Sequence, residues 1–258
     1  MVDPWSVVLD ELDRARKELK CERTGAYYRG HSKKRYDLIP SLLRNRLDQN
    51  DEHNLFCECL IKGRDLLQHS RSHWETLALL QHYGFPTRLL DWTESFAVAL
   101  FFALDSQPDE AHVWVLNPFR LNAANTDQDV YRVLTVGVDA IPDYFECFVR
   151  YDGGQPWPFD KPVFVEIPWA NERIRAQRGF FTVHPGQPIV TASKSSDSGL
   201  GAVQSLDKSC PEFVRKIVIP NEALSGARHF LELAGVNQYS VFPDIQGLGS
   251  HLKLRYSL

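Results

Sequence analysis

The chain has 258 residues, with 33 Asp and Glu against 29 Lys and Arg, a formal net charge of -4, 43% hydrophobic residues and 24% charged residues. Fractions this close to globular averages exclude a disordered or low-complexity chain, and a chain of this length buries a core without disulfide staples. The slight acidic excess excludes a global attraction to nucleic acid and leaves only a local basic patch for such a partner.

Trp5, Val8, Leu9 and Leu12 recur at helical spacing and predict an amphipathic helix over 5–20. Its mixed acids and bases do not fit an export signal, and no apolar run approaches the ~20 residues that span a bilayer. Cys21, Cys57, Cys59, Cys147 and Cys210 are odd in number and irregularly spaced, as expected of reduced thiols. A soluble, cytoplasmic protein with no membrane partner is the expectation.

Residues 26–29 read as a short strand, broken by a polar turn from Gly30 to Lys34, so that Arg29 reaches a loop edge. A helix starts near Asp51, with Leu55, Phe56, Cys59, Leu60, Leu66 and Leu67 as its apolar stripe. Ser72 and Glu75 form a capping-box pair that opens a helix to Tyr83, with Gly84 as its stop. Residues 87–92 read as a strand, and 96–104, apolar on every side, as a buried helix. Asp91 and Thr93 are its candidate N-caps, with Glu94 completing a capping-box-like pair.

Residues 113–116, 163–167, 179–183 and 213–219 are rich in β-branched and aromatic residues and read as strands, which makes the second half mostly sheet. Residues 222–234 predict a last helix, capped by Asn221 and stopped by Gly235. Residues 192–209, rich in Ser, Gly and Lys, read as a mobile loop or a lid. Together these elements predict a single α+β domain, N-terminal helices followed by a mainly antiparallel sheet.

The sequence has no phosphate-binding P-loop, no Gly-x-Ser-x-Gly elbow, no His-Glu-x-x-His and no Cys-x-x-Cys, which argues against a P-loop NTPase, an α/β-hydrolase and a zincin. His69 and His73 have the spacing of two metal ligands but no obvious third, and two solvated histidines is the simpler reading. No metal site is expected.

Three polar clusters stand in apolar surroundings. In the first, Tyr27 to Ser32, Arg29 ends a strand and is followed by Gly30, which suits bidentate recognition of a phosphate or pyrophosphate; a surface salt bridge is the alternative. The second runs from Gln81 to Ser95 and sets Thr87, Arg88, Asp91, Thr93 and Ser95 around one strand and the start of the buried helix. The helix N-terminus there offers anion-binding N-H groups, provided that Arg88 neutralises the acids crowded beside it. In the third, residues 171–181, Gln177 leads into an apolar strand, where a buried amide must find partners or cost stability; a solvated loop position is equally open.

On these clusters the chain resembles the FRG domain family, whose Phe-Arg-Gly motif stands here as Tyr28-Arg29-Gly30. The run from Tyr36 to Arg44, then Glu52, then Gln81 to Thr93, Arg173 to Phe181, Gly235, Phe242-Pro243-Asp244 and Gly247-Leu248 extend the resemblance over most of the chain. It implies an FRG domain over 22–258 after an N-terminal helical extension over 1–21, in a mostly bacterial family with members in phage-defence or toxin-like settings. A more distant similarity joins Tyr28-Arg29-Gly30, and Thr87 to Ser95 with the apolar helix, to ADP-ribosyltransferases.

That similarity implies an ADP-ribosyltransferase-like fold, with NAD as substrate and a nucleic-acid or protein acceptor. Tyr28, Arg29, Gly30, His31, Ser32, Thr87, Arg88, Asp91 and Ser95 would bind NAD, and Arg29, Thr93 and Gln177 would be catalytic. The late Glu motif of those enzymes has no match here, so Gln177 or Glu166 would substitute. A noncatalytic nucleotide- or nucleic-acid-binding module using Arg29, Arg88 and the Lys33-Lys34-Arg35 run is the alternative. A metal-dependent hydrolase or nuclease using Asp91, Glu94 and His82 is a third.

Overall fold

A computed structural model of the chain describes residues 3–67, 70–105, 108–126, 131–150, 154–168, 172–185 and 205–256. Helix α1 (Pro4–Glu18) starts where Asp3 accepts from Ser6 N at 3.1 Å and Pro4 fixes the first turn. Strand β1 (Tyr27–His31) follows, then α2 (Ser41–Arg44), α3 (Gln49–Lys62) and α4 (His73–His82). Strand β2 (Leu89–Thr93), α5 (Phe96–Ala103), β3 (His112–Leu116), α6 (Pro118–Asn125) and β4 (Leu134–Thr135) lead to a π-helical turn over Phe145–Val149. The remainder is β5 (Val163–Glu166), α7 (Glu172–Ala176), β6 (Gly179–Val183), α8 (Leu206–Ser209), β7 (Val214–Val218), α9 (Leu224–Leu233), α10 (Gln238–Val241) and α11 (Ile245–Arg255).

The seven strands form one sheet in the order β4-β5-β6-β2-β1-β3-β7, antiparallel except for the β4 and β5 pair. This is the expected α+β domain, with helices also placed between the later strands. Alternation along the strands sorts the apolar side chains into two sheet faces. On one face, Tyr28, Val113, Val115 and Ile217 pack with α1, α5 and α9, while Leu89, Val163, Val165, Phe181 and Val183 pack with α3, α4 and the π-helical turn. On the other, Leu90, Trp92, Trp114, Phe164 and Phe180 form a third cluster with Leu38, Leu121 and Leu206.

At the centre the sheet divides. β1 pairs with β3 along its whole length, from Tyr27 opposite Leu116 to His31 opposite His112, but meets β2 only where Tyr28 faces Thr93. Continued pairing would set Gly30 opposite Asp91; instead the Arg29 Nη1 donates to the Asp91 carbonyl at 2.8 Å. A guanidinium thus satisfies a strand carbonyl that a backbone N-H would otherwise take.

Several expectations are corrected here. Gly30 and His31 lie within β1 rather than in a turn, and a Cβ on Gly30 would fall 1.8 Å from the Ala99 carbonyl oxygen, so the glycine admits helix α5. Because β2 stays paired with β6 through Thr93, neither Asp91 nor Thr93 caps α5; Ser95 does, accepting from Val98 N at 3.3 Å. Asn221 caps nothing, since a 3-10 turn over Asn221–Ala223 closes on Pro220 and leads into α9; Gly235, at φ +67°, does end that helix. Of the region 192–209 only 205–209 is described, and there Ser205 and Leu206 are buried, with Leu206 N donating to the Leu38 carbonyl at 3.0 Å.

Candidate functional site

The first two clusters are brought together by the divergence of β1 from β2, and the third by α7 packing beside β6. A cavity of about 450 Å³ opens there. Tyr28, Arg29, Gly30, His31 and Ser32 of the first cluster line it, with Gln81, His82, Asp91 and Thr93 of the second and Arg173, Gln177 and Gly179 of the third. Tyr36 and Arg44 close one side, and Phe102 and Phe242 supply aromatic wall. The size falls within the range of small-molecule sites.

Arg29 is the centre of the polar network. Its Nε donates to His31 Nε2 at 2.9 Å and its Nη1 to the Asp91 carbonyl and to Asp91 Oδ2 at 3.2 Å, leaving Nη2 without a hydrogen bond to a described residue. His31 Nδ1 lies 3.0 Å from the Tyr36 carbonyl, which fixes the tautomer: Nδ1-H donates there, and Nε2 accepts from Arg29. Burial first, then the positive Arg29 and neighbouring His112, hold the His31 imidazole far below its ordinary value.

Asp91 Oδ2 also accepts from Gln81 Nε2 at 2.9 Å. The Gln81 carbonyl oxygen accepts from the Thr87 hydroxyl, so the amide's orientation is set from below the cavity. On the third side, Arg173 bridges to Asp244 and donates to His82 Nε2 at 2.8 Å, with its guanidinium 5.1 Å from the Phe242 ring. Burial and then Arg173 lower the His82 pKa. Gln177 is half-buried, and its Nε2 donates to the Val241 carbonyl at 3.3 Å. Exposed Arg44 makes no side-chain hydrogen bond or ion pair with a described residue and adds a cation beside the Arg29 end.

Three expected binding residues lie elsewhere. Arg88 is fully buried, forked onto Glu52 at 2.6 and 2.5 Å, with the Tyr144 hydroxyl donating to the same carboxylate at 2.6 Å and Phe148 4.3 Å beneath the guanidinium. Its guanidinium is paired with Glu52 and does not line the cavity. Thr87 is buried and acts through Gln81, and Ser95 is the α5 cap. Glu166 ends β5 and is absent from the cavity lining, because β6 stands between β5 and β2.

Gln81, Arg173 and Phe242 sit in segments that carry the resemblance, yet nothing in their spacing assigns them to a site, and His82 takes a role in the sequence reading only with the metal-dependent alternative. The one sequence signal among them is Gln81-His82, polar residues that close an apolar helix before Gly84. His69 lies outside the described residues, while His73 Nδ1 is 2.7 Å from Asp143. Among the described residues no group of three His, Cys, Asp or Glu side chains could hold a metal ion, and no helix is long and apolar enough to cross a membrane. All five cysteines are free.

Residues 24–112 match the family model of the FRG domain. The match holds β1, β2 and the Arg29, Gln81 and Asp91 network; the Arg173, Gln177 and Phe242 side of the cavity lies beyond it. Neither a curated protein nor a solved structure matches the chain.

Proposed function

We propose that the cavity binds NAD and that the protein is an ADP-ribosyltransferase-like enzyme, transferring ADP-ribose to a nucleic-acid or protein acceptor. The observation that carries this reading is Arg29 lying across the gap between β1 and β2, with two of its nitrogens anchored and Nη2 without a hydrogen bond to a described residue, in a cavity that Arg44 also lines. A pyrophosphate is the natural ligand for a guanidinium held this way. Thr93 and Gln177 offer hydroxyl and amide groups to ribose hydroxyls, and Phe102 and Phe242 offer flat apolar surface to a ring. A toxin or phage-defence role would suit such an activity.

NAD labelled on its adenylate moiety, incubated with the purified chain alone and with DNA, RNA or lysate, tests this. Label should pass to one acceptor class, or appear as free ADP-ribose, and Arg29→Ala should abolish both. NAD bound but left intact would point instead to the noncatalytic nucleotide-binding module. NAD neither bound nor consumed would remove the reading.

A further inference from the structure

We infer that Asp91 is the catalytic carboxylate of this site, facing C1′ of the nicotinamide ribose and stabilising the cation that forms as the glycosidic bond breaks. This role rests on the NAD reading above, and it gives Asp91 the task that Gln177, an amide, and Glu166, two strands away, cannot perform.

Asp91 is the only acidic side chain among the described residues that line the cavity, and it is 50% exposed. Its two oxygens differ. Gln81 Nε2 and Arg29 Nη1 both donate to Oδ2, at 2.9 and 3.2 Å, whereas Oδ1 receives no hydrogen bond from a described residue. The anchoring is itself supported: the Thr87 hydroxyl fixes the Gln81 carbonyl end and accepts from Leu89 N at 3.1 Å, which ties the arrangement to the foot of β2. A carboxylate with one oxygen clamped and the other open needs little reorganisation as positive charge develops in front of it. A purely structural aspartate bridging Arg29 and Gln81 has no need of the exposure or of the open oxygen.

The step balances without a further reactant beyond NAD and the acceptor. The bond from C1′ to the nicotinamide nitrogen breaks with its electron pair passing to nicotinamide, which leaves neutral. Oδ1 stabilises the oxocarbenium charge left on the ribose. An acceptor oxygen or nitrogen, or water, then bonds to C1′ from the open side and gives its proton to Asp91, which releases it to solvent.

Asp91→Asn preserves shape and keeps an oxygen acceptor for Gln81 and Arg29. Purified wild-type and D91N chains would be compared for NAD affinity by calorimetry and for nicotinamide release under whichever acceptor condition supports wild-type turnover. We expect NAD affinity to stay within about threefold while release falls on the order of 100-fold or more. Thr87→Val, which frees the Gln81 amide, should lower kcat by roughly tenfold at unchanged KM, with Thr87→Ser restoring it. Wild-type release rates in D91N with binding retained would overturn the assignment and leave the NAD reading standing. Loss of NAD binding in D91N would overturn it too, by making Asp91 only a holder of Arg29. Absence of binding and turnover in the wild type would overturn both.

Discussion

His31 shows how a single side chain sets the chemistry of its neighbour. Only a neutral imidazole can accept from Arg29, and a second proton on His31 would place two cations in contact within a buried strand. His184, buried with Arg29 and Arg88 nearby, is likewise held neutral, its pKa pushed down to about 3. Both folded-state values lie below the unfolded one, so below about pH 6.5 the unfolded chain takes up protons that the folded chain refuses. Stability should therefore fall with falling pH, by up to ~1.4 kcal/mol per unit for each histidine well below that point. Denaturant midpoints measured from pH 7.5 to 5 should show this slope, and His31→Gln should reduce it. The sequence offers both Arg29 and Arg88 as binding residues, Arg29 the stronger, since each sits in a motif with polar neighbours. Glu52, far away in the chain, separates their roles. Arg88→Met should cost about 3 to 5 kcal/mol by stranding Glu52, and the double change with Glu52→Leu should recover much of it. Equilibrium unfolding checks both, and calorimetry on the double variant should find NAD affinity retained.

At the scale of elements, what was legible followed from local chemistry. The Ser72 cap, the positive φ of Gly84 and Gly235, and the apolar runs of β3, β5 and β6 are each decided within a few residues. Less legible was anything settled by pairing across the chain. Thr93 looks like a cap until β6 claims it for the sheet, and Gly30 looks like a turn until α5 is seen lying on it. The short helices α6, α7, α8 and α10 are held by packing rather than by periodicity, which leaves no pattern to read. Gly30→Ala should destabilise by about 3 kcal/mol, because a backbone carbonyl cannot yield as a side chain would; thermal or denaturant unfolding measures it. Ser95→Ala should cost about 1 kcal/mol in the same experiment, with α5 frayed at its first turn.

For the molecule as a whole, the cavity exists because late segments return to an early strand. Arg173 and Gln177 reach the α10 and α11 region, where Asp244 both pairs with Arg173 and caps α11, and Phe242 packs against Phe101 and Phe102 of α5. Asp244→Ala should therefore lower the melting temperature and weaken NAD binding together, although Asp244 does not line the cavity. Sequence motifs name both ends of this closure but carry no distance between them, so the convergence of the three clusters was visible only as a resemblance.

The single meeting point of β1 and β2 has a further consequence for how the native state opens. On one side of Tyr28 and Thr93 lie β4, β5, β6 and β2 under the α3 and α4 layer; on the other lie β1, β3 and β7 under α1, α5 and α9. Each half has its own strand ladder and, on this face, its own apolar cluster, while the cluster on the opposite face, where Leu90, Trp92, Phe164 and Phe180 join Trp114 and Val214, is shared between them and limits how independently they open. Amide exchange in native conditions should sort the sheet into two groups with distinct opening energies, and a ligand bridging Arg29 and Gln177 would slow exchange in both at once, acting as the rivet between two plates.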